Sequence, residues 1–370
     1  MSDGERGAMR RALELAQTPG VPLGPNPRVG CVLLAPDGST VAEGFHRGAG
    51  TPHAEADALT RAGEQARGAT AVVSLEPCNH TGRTGPCADA LVAAGVARVV
   101  FAQADTSAAA AGGARTLLAA GIDVEGGLLA QAARAVNPAW SFALEHARPY
   151  VTWKLATTVD GRSAAPDGSS RWVSSEAARR DTHRLRGYCD AILVGTGTLL
   201  ADDPRLTVRD VEDVDLPRAH QPLRAVMGLR PTPAGSRVLD DAAPTVLLRT
   251  RDPHEAVATL FEHGCRHVFL EGGPTLAAAF LTAGLVDEVV AYVAPLLLGS
   301  GRSGVGDLGA RTLADAVGLR LEELVVVGSG AEANARLTMT PLARQPAGGP
   351  PLTTPQRSTP TAAPTVGRTR

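Results

Sequence analysis

The chain has 370 residues, of which 44% are hydrophobic and 3% aromatic, and its formal net charge is −2. This length suggests two domains, and the near-neutral charge argues against broad electrostatic binding to nucleic acid or to an anionic membrane. No apolar run approaches the roughly 20 residues that a membrane helix needs, and the first residues lack the apolar segment of a signal peptide, so we expect a cytoplasmic protein without a membrane partner.

The first half of the chain predicts strands that alternate with short helices. Apolar runs flank Pro36-Asp37-Gly38, which is typical of a β-hairpin over residues 28–46. This alternation predicts an α/β layered domain with a mostly parallel sheet. After the hairpin, helices are predicted in "PHAEADALTRAG", "PCADALVAAG" and "ARTLLAAG", and strands in "TAVVSLEP", "ARVVFAQAD" and "IDVEGG".

The pattern starts again after "EHARPY" (Glu145 to Tyr150), and we place a domain boundary between residues 147 and 148. From residue 342 the chain is rich in Pro, Thr and Gly and cannot bury enough apolar surface to fold, which predicts a disordered tail over 342–370. Between these points, helices are predicted in "SSEAARRDTHRLRG", "PHEAVATLFEHG" and "PTLAAAFLTAG", and strands in "YVTWKLATTVDG", "AILVGTGTLL", "LRAVMGL", "TVLLRT", "HVFLE", "DEVVAYVAPLLLG", "LVVVGSG" and "ARLTMTP".

Two of the five cysteines lie in a pattern that suggests a metal site. Cys78 and Cys87 each follow a proline, on either side of a polar loop, and His53 opens a predicted helix. Disulfides are rare in a reducing compartment, which argues against a bond between these two thiols. One His and two Cys form a three-ligand zinc set that leaves the fourth position open, which is the catalytic pattern. A closed structural site with His46 or His80 as the fourth ligand is the alternative.

Glu55 follows His53 by two positions and is not needed as a ligand. A carboxylate beside an activated water is what hydrolytic deamination requires, because it accepts the proton of the water and delivers protons to the ring nitrogen and the leaving ammonia. The H-x-E half of the base-deaminase pattern is present, but the two cysteines have eight residues between them rather than two. The other thiols are expected to be inert core residues: Cys31, Cys189 and Cys265.

Several segments of the first half resemble the deaminase domain of the bifunctional riboflavin-biosynthesis deaminase/reductases. The resemblance implies a cytidine-deaminase-like three-layer domain over residues 1–147, with His53, Cys78 and Cys87 as zinc ligands and Glu55 as the proton carrier. It also implies that Asn26 binds the pyrimidine, although an Asn-Pro turn residue is equally consistent with the sequence. The segments that carry the resemblance are "PNPRVGCVL", "GFHRGAGTPHAEADAL" and "LEPCNHTGRTGPC".

The implied substrate is 2,5-diamino-6-(5-phosphoribosylamino)-4(3H)-pyrimidinone, whose 2-amino group is hydrolysed to a carbonyl. His80 and Arg83 lie between the two metal cysteines and face either the substrate phosphate or solvent. The chain departs from the family where "DPNP" usually follows the fourth strand. Here Asp105 is followed by Thr106-Ser107-Ala108, which puts a role of this loop in closing the site in doubt.

The second half lacks a G-x-G-x-x-G fingerprint, but "EGGPTLAAAF" forms a possible anion site, because a strand ends at Glu271 and Pro274 starts a helix after two glycines. A tight turn with a good cap is the alternative. This segment resembles the family's reductase domain, which implies a dihydrofolate-reductase-like fold over residues 148–341 that uses NADPH to reduce the ribosyl group to ribityl. The other matching segments are "KLATTVDGR", "SRWVSSEAARRDTHRLR", "AILVGTGTLLADDPRLTVR" and "VDEVVAYVAPLLLG".

The resemblance also assigns the reductase contacts. Arg186 and Arg209 are expected to bind phosphate, Glu271 to hold sugar hydroxyls and Lys154 to stabilise developing charge. The implied cofactor contacts are Ala156, Trp172, Thr198, Asp202, Gly273, Pro274, Thr275, Leu276, Ala277, Ala278 and Ala279, and the implied substrate contacts are Ser170, Arg186, Leu206, Arg209 and Glu271.

A second departure falls in the reductase half, where Gly228 and Leu229 replace a common Asp-Ser pair and put the efficiency or cofactor preference in doubt. A deaminase with a weakened reductase is therefore one alternative function. Two further alternatives are a nucleic-acid deaminase and a non-catalytic zinc scaffold. The near-neutral net charge argues against the nucleic-acid deaminase, and Glu55 argues against the scaffold. We expect a homo-oligomer that binds no nucleic acid.

Overall fold

The structure is a computed structural model that describes residues 1–19, 21, 26–48, 50–80, 85–107 and 110–342. Arg83, Ala108 and the expected tail beyond residue 342 lie outside the described residues. The helices are α1 (Asp3–Ala16), α2 (Ala54–Ala62), α3 (Cys87–Ala93), α4 (Gly113–Ala119), α5 (Ala130–Val136), α6 (Pro138–His146), α7 (Glu176–Arg186), α8 (Thr196–Asp202), α9 (Pro253–Glu262) and α10 (Pro274–Thr282).

The strands form two main sheets, one in each half of the chain. The first contains β1 (Gly30–Leu34), β2 (Thr40–Phe45), β3 (Thr70–Leu75), β4 (Arg98–Gln103) and β5 (Asp123–Gly126). The second half contains β6 (Tyr150–Thr158), β7 (Arg162–Ala164), β8 (Ala191–Gly195), β9 (Leu223–Met227), β10 (Thr245–Leu248), β11 (His267–Leu270), β12 (Glu288–Ala294), β13 (Arg302–Ser303), β14 (Leu319–Val327) and β15 (Asn334–Pro341).

The first sheet has the order β2-β1-β3-β4-β5 and lies between two helical layers. β1 is antiparallel to β2 and β3, whereas β3, β4 and β5 are parallel, so the sheet is mixed rather than mostly parallel. Apolar side chains of α2, α3 and α4 pack on one face, and those of α1 and α5 on the other. The expected three-layer domain is therefore confirmed.

The second sheet has the order β10-β9-β8-β11-β6-β12-β15-β14. Its first six strands are parallel and the last two pairings are antiparallel. Side chains of α9 and α10 pack into the larger core of this domain, while α7 and α8 pack on other strand residues. The carboxyl ends of β8 and β11 consequently lie side by side, where open α/β sheets bind ligands. Within the described residues, no helix combines the length and the apolarity needed to cross a membrane.

Some elements differ from the sequence-based expectations. Three helices, α1, α5 and α6, were not predicted, although α1 begins with a capping box between Ser2 and Glu5 that the sequence displays. The strand expected over "AILVGTGTLL" ends at Gly195, and a helix begins at Thr196. The helix expected to start at Pro86 begins one residue later, at Cys87.

A glycine sets the distance between α2 and the first sheet. A Cβ atom on Gly44 would lie 2.3 Å from the carbonyl oxygen of Ala54 and 2.5 Å from the backbone nitrogen of Ala58. Helix α2 therefore packs directly against the backbone of β2, and this contact positions the first turn of α2, where His53 and Glu55 lie.

We expect Gly44→Ala to lower the free energy of unfolding of the first domain by about 1–3 kcal/mol, because α2 must move away from β2. The matched control is Gly7→Ala on α1, where a new Cβ meets no atom within 4 Å and should stabilise the helix by up to about 1 kcal/mol. Urea unfolding followed by circular dichroism measures both. Equal stability of the Gly44 variant and the parent would contradict the contact.

Candidate functional site

The two cysteines and the histidine singled out in the sequence meet in the first domain. His53 is the N-cap of α2, Cys78 follows β3, and Cys87 is the first residue of α3. Nδ1 of His53 lies 3.5 Å from Sγ of Cys78 and 3.3 Å from Sγ of Cys87, and the three ligand atoms all lie within 4.8 Å of one another. Tetrahedral zinc with ordinary bond lengths places sulfur and nitrogen ligands about 3.6 Å apart, so these residues fit zinc.

The electrostatics of the cluster also suit a metal. All five cysteines are free thiols, which agrees with the expectation that Cys78 and Cys87 form no disulfide. Hydrogen bonds with Cys87 and His53 hold the pKa of the Cys78 thiol well below its usual range, whereas the contact with Cys78 raises the pKa of the Cys87 thiol, so the two sulfurs share one proton in the metal-free protein. The backbone N–H of Cys87 also donates to Sγ of Cys78, at 3.4 Å. The thiolate is the form that binds metal, and Cys78 is thus prepared for it.

Glu55 lies beside the cluster but is not one of its three ligands. It is only 4% exposed, and burial raises the pKa of its carboxyl to about 7. Glu55 and His53 line a cavity of about 500 Å³, which is large enough for a small heterocyclic ligand. A carboxyl group in this position can exchange protons with a ligand and with water at the metal.

Neither His46 nor His80 belongs to the group of ligand atoms that lie within 4.8 Å of one another among the described residues. Nε2 of His46 lies 3.1 Å from Nδ2 of Asn26, and its Nδ1 lies 3.0 Å from the carbonyl oxygen of Pro52, so both ring nitrogens are already bonded. Nδ1 of His80 is buried and has no hydrogen-bond partner among the described residues. Both histidines and Asn26 line the cavity, which makes them candidate ligand contacts rather than metal ligands.

Glu76 is a cavity residue that the sequence analysis did not single out. One of its carboxylate oxygens accepts from the backbone N–H of Asp105, at 3.1 Å, and the other from that of Ala114, at 3.0 Å. Asp105 in turn accepts from the N–H of Ser107, at 2.8 Å, and burial raises the pKa of Asp105. Glu76 therefore anchors the loop after β4, where the chain departs from the family pattern. The sequence could have indicated Glu76, because it directly precedes Pro77 and the predicted metal ligand Cys78.

In the second domain, Arg186 at the end of α7 forms a bidentate ion pair with Glu271, which follows β11. Its Nη2 donates to Oε2 of Glu271 at 3.0 Å, and its Nη1 donates to the carbonyl oxygen of Thr207 at 2.9 Å. Burial opposes ionisation, but the charge of Arg186 holds the pKa of Glu271 below its usual range. Arg186 was expected as a free phosphate clamp. In the structure it is paired and holds Glu271 at the strand end.

Lys154 and Arg209 lie in the same region. Lys154 is in β6, where burial lowers its pKa and the charge of Glu271 opposes that change. Arg209 donates to Asp213 at 3.1 Å and to Asp215 at 3.3 Å, so it too has carboxylate partners. The structure thus places Lys154, Arg186 and Glu271 together as one charged group.

Two glycine-containing turns meet at the carboxyl ends of β8 and β11. A Cβ atom on Gly273 would lie 3.9 Å from Oγ1 of Thr198, so the first turns of α8 and α10 are adjacent. Free backbone N–H groups at helix N-termini can bind phosphate, so these two turns, which we call the cradle, are a candidate anion site. The N–H of Ala277 already donates to the carbonyl of Gly273, which leaves the amides before Ala277 for a ligand. The side chains of Ala277 and Ala278 are buried.

The structure explains the departure at Gly228. Its φ is +140°, and a Cβ atom there would lie 2.6 Å from Oγ1 of Thr196. The positive φ and the nearby Thr196 side chain would strain any larger residue here, so this backbone favours glycine.

The remaining predicted contacts lie around the second domain. Trp172 is 65% exposed, and the guanidinium of Arg179 lies 4.1 Å from its ring centre. Asp202 ends α8, and its carbonyl accepts from Arg171 at 3.3 Å. Ser170 is exposed, Ala156 is half-buried in β6, and Leu206 is buried with a φ of +53°.

Comparisons with known proteins match both domains. Residues 3–103 match the family model "Cytidine and deoxycytidylate deaminase zinc-binding region", and residues 149–332 match "RibD C-terminal domain". The riboflavin biosynthesis protein RibD of Mycobacterium tuberculosis is 49% identical over 305 residues, which cover 82% of this chain and 89% of the relative. RibD of Escherichia coli is 43% identical over 353 residues, which cover 86% of this chain and 96% of the relative.

Solved structures agree over the whole fold. Acinetobacter baumannii RibD, form 2, superposes with a TM-score of 0.83 at 35% identity and covers 92% of this chain and 99% of that one. A diaminohydroxyphosphoribosylaminopyrimidine deaminase/5-amino-6-(5-phosphoribosylamino)uracil reductase from Thermotoga maritima superposes with a TM-score of 0.77 at 28% identity, with the same two shares.

We expect Arg186→Met to lower the free energy of unfolding of the second domain by about 3 kcal/mol or more, because Glu271 is left buried without its partner. The two side chains are 14% and 12% exposed, so water screens the pair poorly. The double variant Arg186→Met/Glu271→Gln should lose less, since no unpaired charge remains. Urea unfolding of the parent, the single variant and the double variant measures these differences. An Arg186→Met variant as stable as the parent would contradict a stabilising pair.

Proposed function

Since this chain belongs to the RibD family and is a bifunctional deaminase and reductase of riboflavin biosynthesis, we propose that the three-ligand cluster and Glu55 carry out its hydrolytic step. The observation that supports this proposal most is the position of Glu55: it lies two residues from a metal ligand, it is buried, and it is not itself a ligand. A purely structural metal site would not use such a carboxylate.

The proposed substrate is 2,5-diamino-6-(5-phosphoribosylamino)-4(3H)-pyrimidinone, in line with the name of the T. maritima relative. His53, Cys78 and Cys87 would hold the zinc ion, which would supply the Lewis acidity that hydrolytic attack by water on C2 needs. Glu55 accepts one proton from the attacking water and passes it to the ring nitrogen. It then accepts a second proton, from the hydroxyl formed at C2, and passes it to the amino group, which leaves as ammonia while C2 becomes a carbonyl. Asn26, which lies against His46, contacts the pyrimidine.

We propose that the second domain then reduces the ribosyl side chain of the product to ribityl. NADPH supplies the hydride. The turn from Gly273 to Leu276, Thr198 in the first turn of α8 and Asp202 at the end of α8 bind the cofactor. Ala156 and Trp172 border it. The paired Arg186 and Glu271 orient the sugar, and Lys154 stabilises the charge that develops there, since its buried ammonium lies in the field of Glu271. The remaining contacts to the substrate come from Ser170, Leu206 and Arg209.

The remaining assignments are proposals as well. We place the deaminase domain at residues 1–147 and the reductase domain at 148–341. We propose that the protein acts on a small molecule in the cytoplasm. The net charge of −2 supports the absence of nucleic-acid binding. That the chain forms a homo-oligomer stays a prediction.

The test of the hydrolytic step is Glu55→Gln. We expect this variant to keep one zinc ion per chain and to release ammonia from the diaminopyrimidine about 10²–10⁴-fold more slowly, because the proton carrier is lost. Zinc is measured by plasma mass spectrometry and ammonia by a coupled assay. NADPH oxidation with the deaminated intermediate should be unchanged.

The matched control is Glu64→Gln, an exposed acid in the short turn after α2, which should behave as the parent. Ammonia release at the parental rate by a zinc-loaded Glu55 variant would sink the proposal.

A further inference from the structure

The segment that carries Asn26 is attached to the first domain by a side chain rather than by a neighbouring strand. The pairing of β1 with β2 extends by one hydrogen bond before β1, because the N–H of His46 donates to the carbonyl oxygen of Val29, at 3.0 Å. Arg28 lies beyond that point, and Pro27 before it has no N–H to donate. The backbone of Arg28 takes its hydrogen-bond partner from outside the sheet.

That partner is the side chain of Asn137, which makes two hydrogen bonds that we call the Asn137 clamp. Its Oδ1 accepts from the backbone N–H of Arg28, at 2.7 Å, and its Nδ2 donates to the carbonyl oxygen of the same residue, at 2.8 Å. Asn137 is itself fixed at the junction of α5 and α6, since its N–H donates to the carbonyl oxygen of Arg134 and its own carbonyl accepts from the N–H of Ser141. A side-chain amide thus occupies the place that a strand would take.

The side chain of Asn26, two residues before the clamp, has a defined orientation. Nδ1 of His46 lies 3.0 Å from the carbonyl oxygen of Pro52, and a carbonyl only accepts, so Nδ1 carries the proton. Burial lowers the pKa of His46, so the ring is neutral and its Nε2 is an acceptor. Asn26 therefore turns its NH2 group toward His46, at 3.1 Å, which leaves Oδ1 as the atom that a ligand in the cavity can use.

We propose that Asn137 is a positioning residue of the deaminase, whose clamp holds Asn26 where its Oδ1 accepts a hydrogen bond from the pyrimidine. This inference rests on the proposed contact between Asn26 and the pyrimidine. Asn137 is not among the described residues that line the cavity, so it acts through the backbone of Arg28. Hydrogen bonds weaken steeply with distance and angle, and a shift of this segment by about 1 Å would lose the contact.

The test is a double-variant cycle on the full-length, zinc-loaded enzyme with the diaminopyrimidine as substrate. We expect Asn26→Ala to raise the KM of deamination about threefold to tenfold, which is the effect of one ordinary hydrogen bond, with kcat little changed. Asn137→Ala should raise the KM by a similar factor. The double variant Asn26→Ala/Asn137→Ala should show no rise beyond that of Asn26→Ala, because two residues that act through one contact are not additive.

The matched control is Asn334→Ala in the second domain, where Oδ1 of Asn334 also accepts from a backbone N–H, that of Ser175, at 2.9 Å. This variant should deaminate with the parental KM. Zinc content and the circular dichroism spectrum should match the parent in all variants. If Asn137→Ala folds poorly, Asn137→Asp replaces it in the cycle with a smaller expected rise in KM, because it keeps the acceptor for the N–H of Arg28 and loses only the donor.

Two results would overturn the inference: a parental KM in Asn137→Ala, or a rise in the double variant equal to the product of the two single rises, which would show that Asn137 acts independently of Asn26. Both results leave the hydrolytic step and the Asn26 contact intact. A parental KM in Asn26→Ala would instead contradict the proposed contact between Asn26 and the pyrimidine, and with it the premise of the inference.

Discussion

Two thiols and an imidazole from three separate segments lie within 4.8 Å of one another, and much of the first domain serves to bring them together. Helix α2 presents His53 because Gly44 lets it pack against the backbone of β2, and α3 presents Cys87 at its first residue. Metal binding requires deprotonated thiols and a neutral imidazole, so it is coupled to the folding of all three segments. Neither His46, whose ring nitrogens both have other partners, nor His80 belongs to this cluster among the described residues.

The second domain uses a different physical device at the corresponding place in its sheet. The carboxyl ends of two parallel strands and the first turns of two helices form a cradle, and the pair between Arg186 and Glu271 holds a charged group beside it. A hydrolytic step needs a proton carrier at a metal, whereas a hydride transfer needs mainly positioning of cofactor and sugar. The loop between α9 and β11, which bears Arg266, belongs to the second domain and borders the cavity of the first.

The sequence predicted the metal cluster, Glu55 and most strands, because rare residue types at distinctive spacings and alternating apolar runs carry that information locally. It did not predict the pairing of Arg186 with Glu271 or the position of Arg266 at the wall of the first domain's cavity, since both depend on how distant segments pack. The helix that begins at Thr196 was misread as strand because the apolar run continues past Gly195 without a break. From the sequence, Gly228 put the efficiency or cofactor preference of the reductase in doubt. In the structure its positive φ and the nearby Thr196 side chain favour glycine at this position.

The central claim is an open zinc site with three protein ligands. X-ray absorption at the zinc edge of the purified full-length protein tests it directly. We expect two sulfur ligands at about 2.3 Å and two nitrogen or oxygen ligands at about 2.0–2.1 Å, of which one is an imidazole. The variant Cys31→Ser, which changes a buried thiol outside the cluster, should give the same spectrum. A coordination shell with two imidazoles, or with three or more sulfurs, would show a closed structural site and contradict the account.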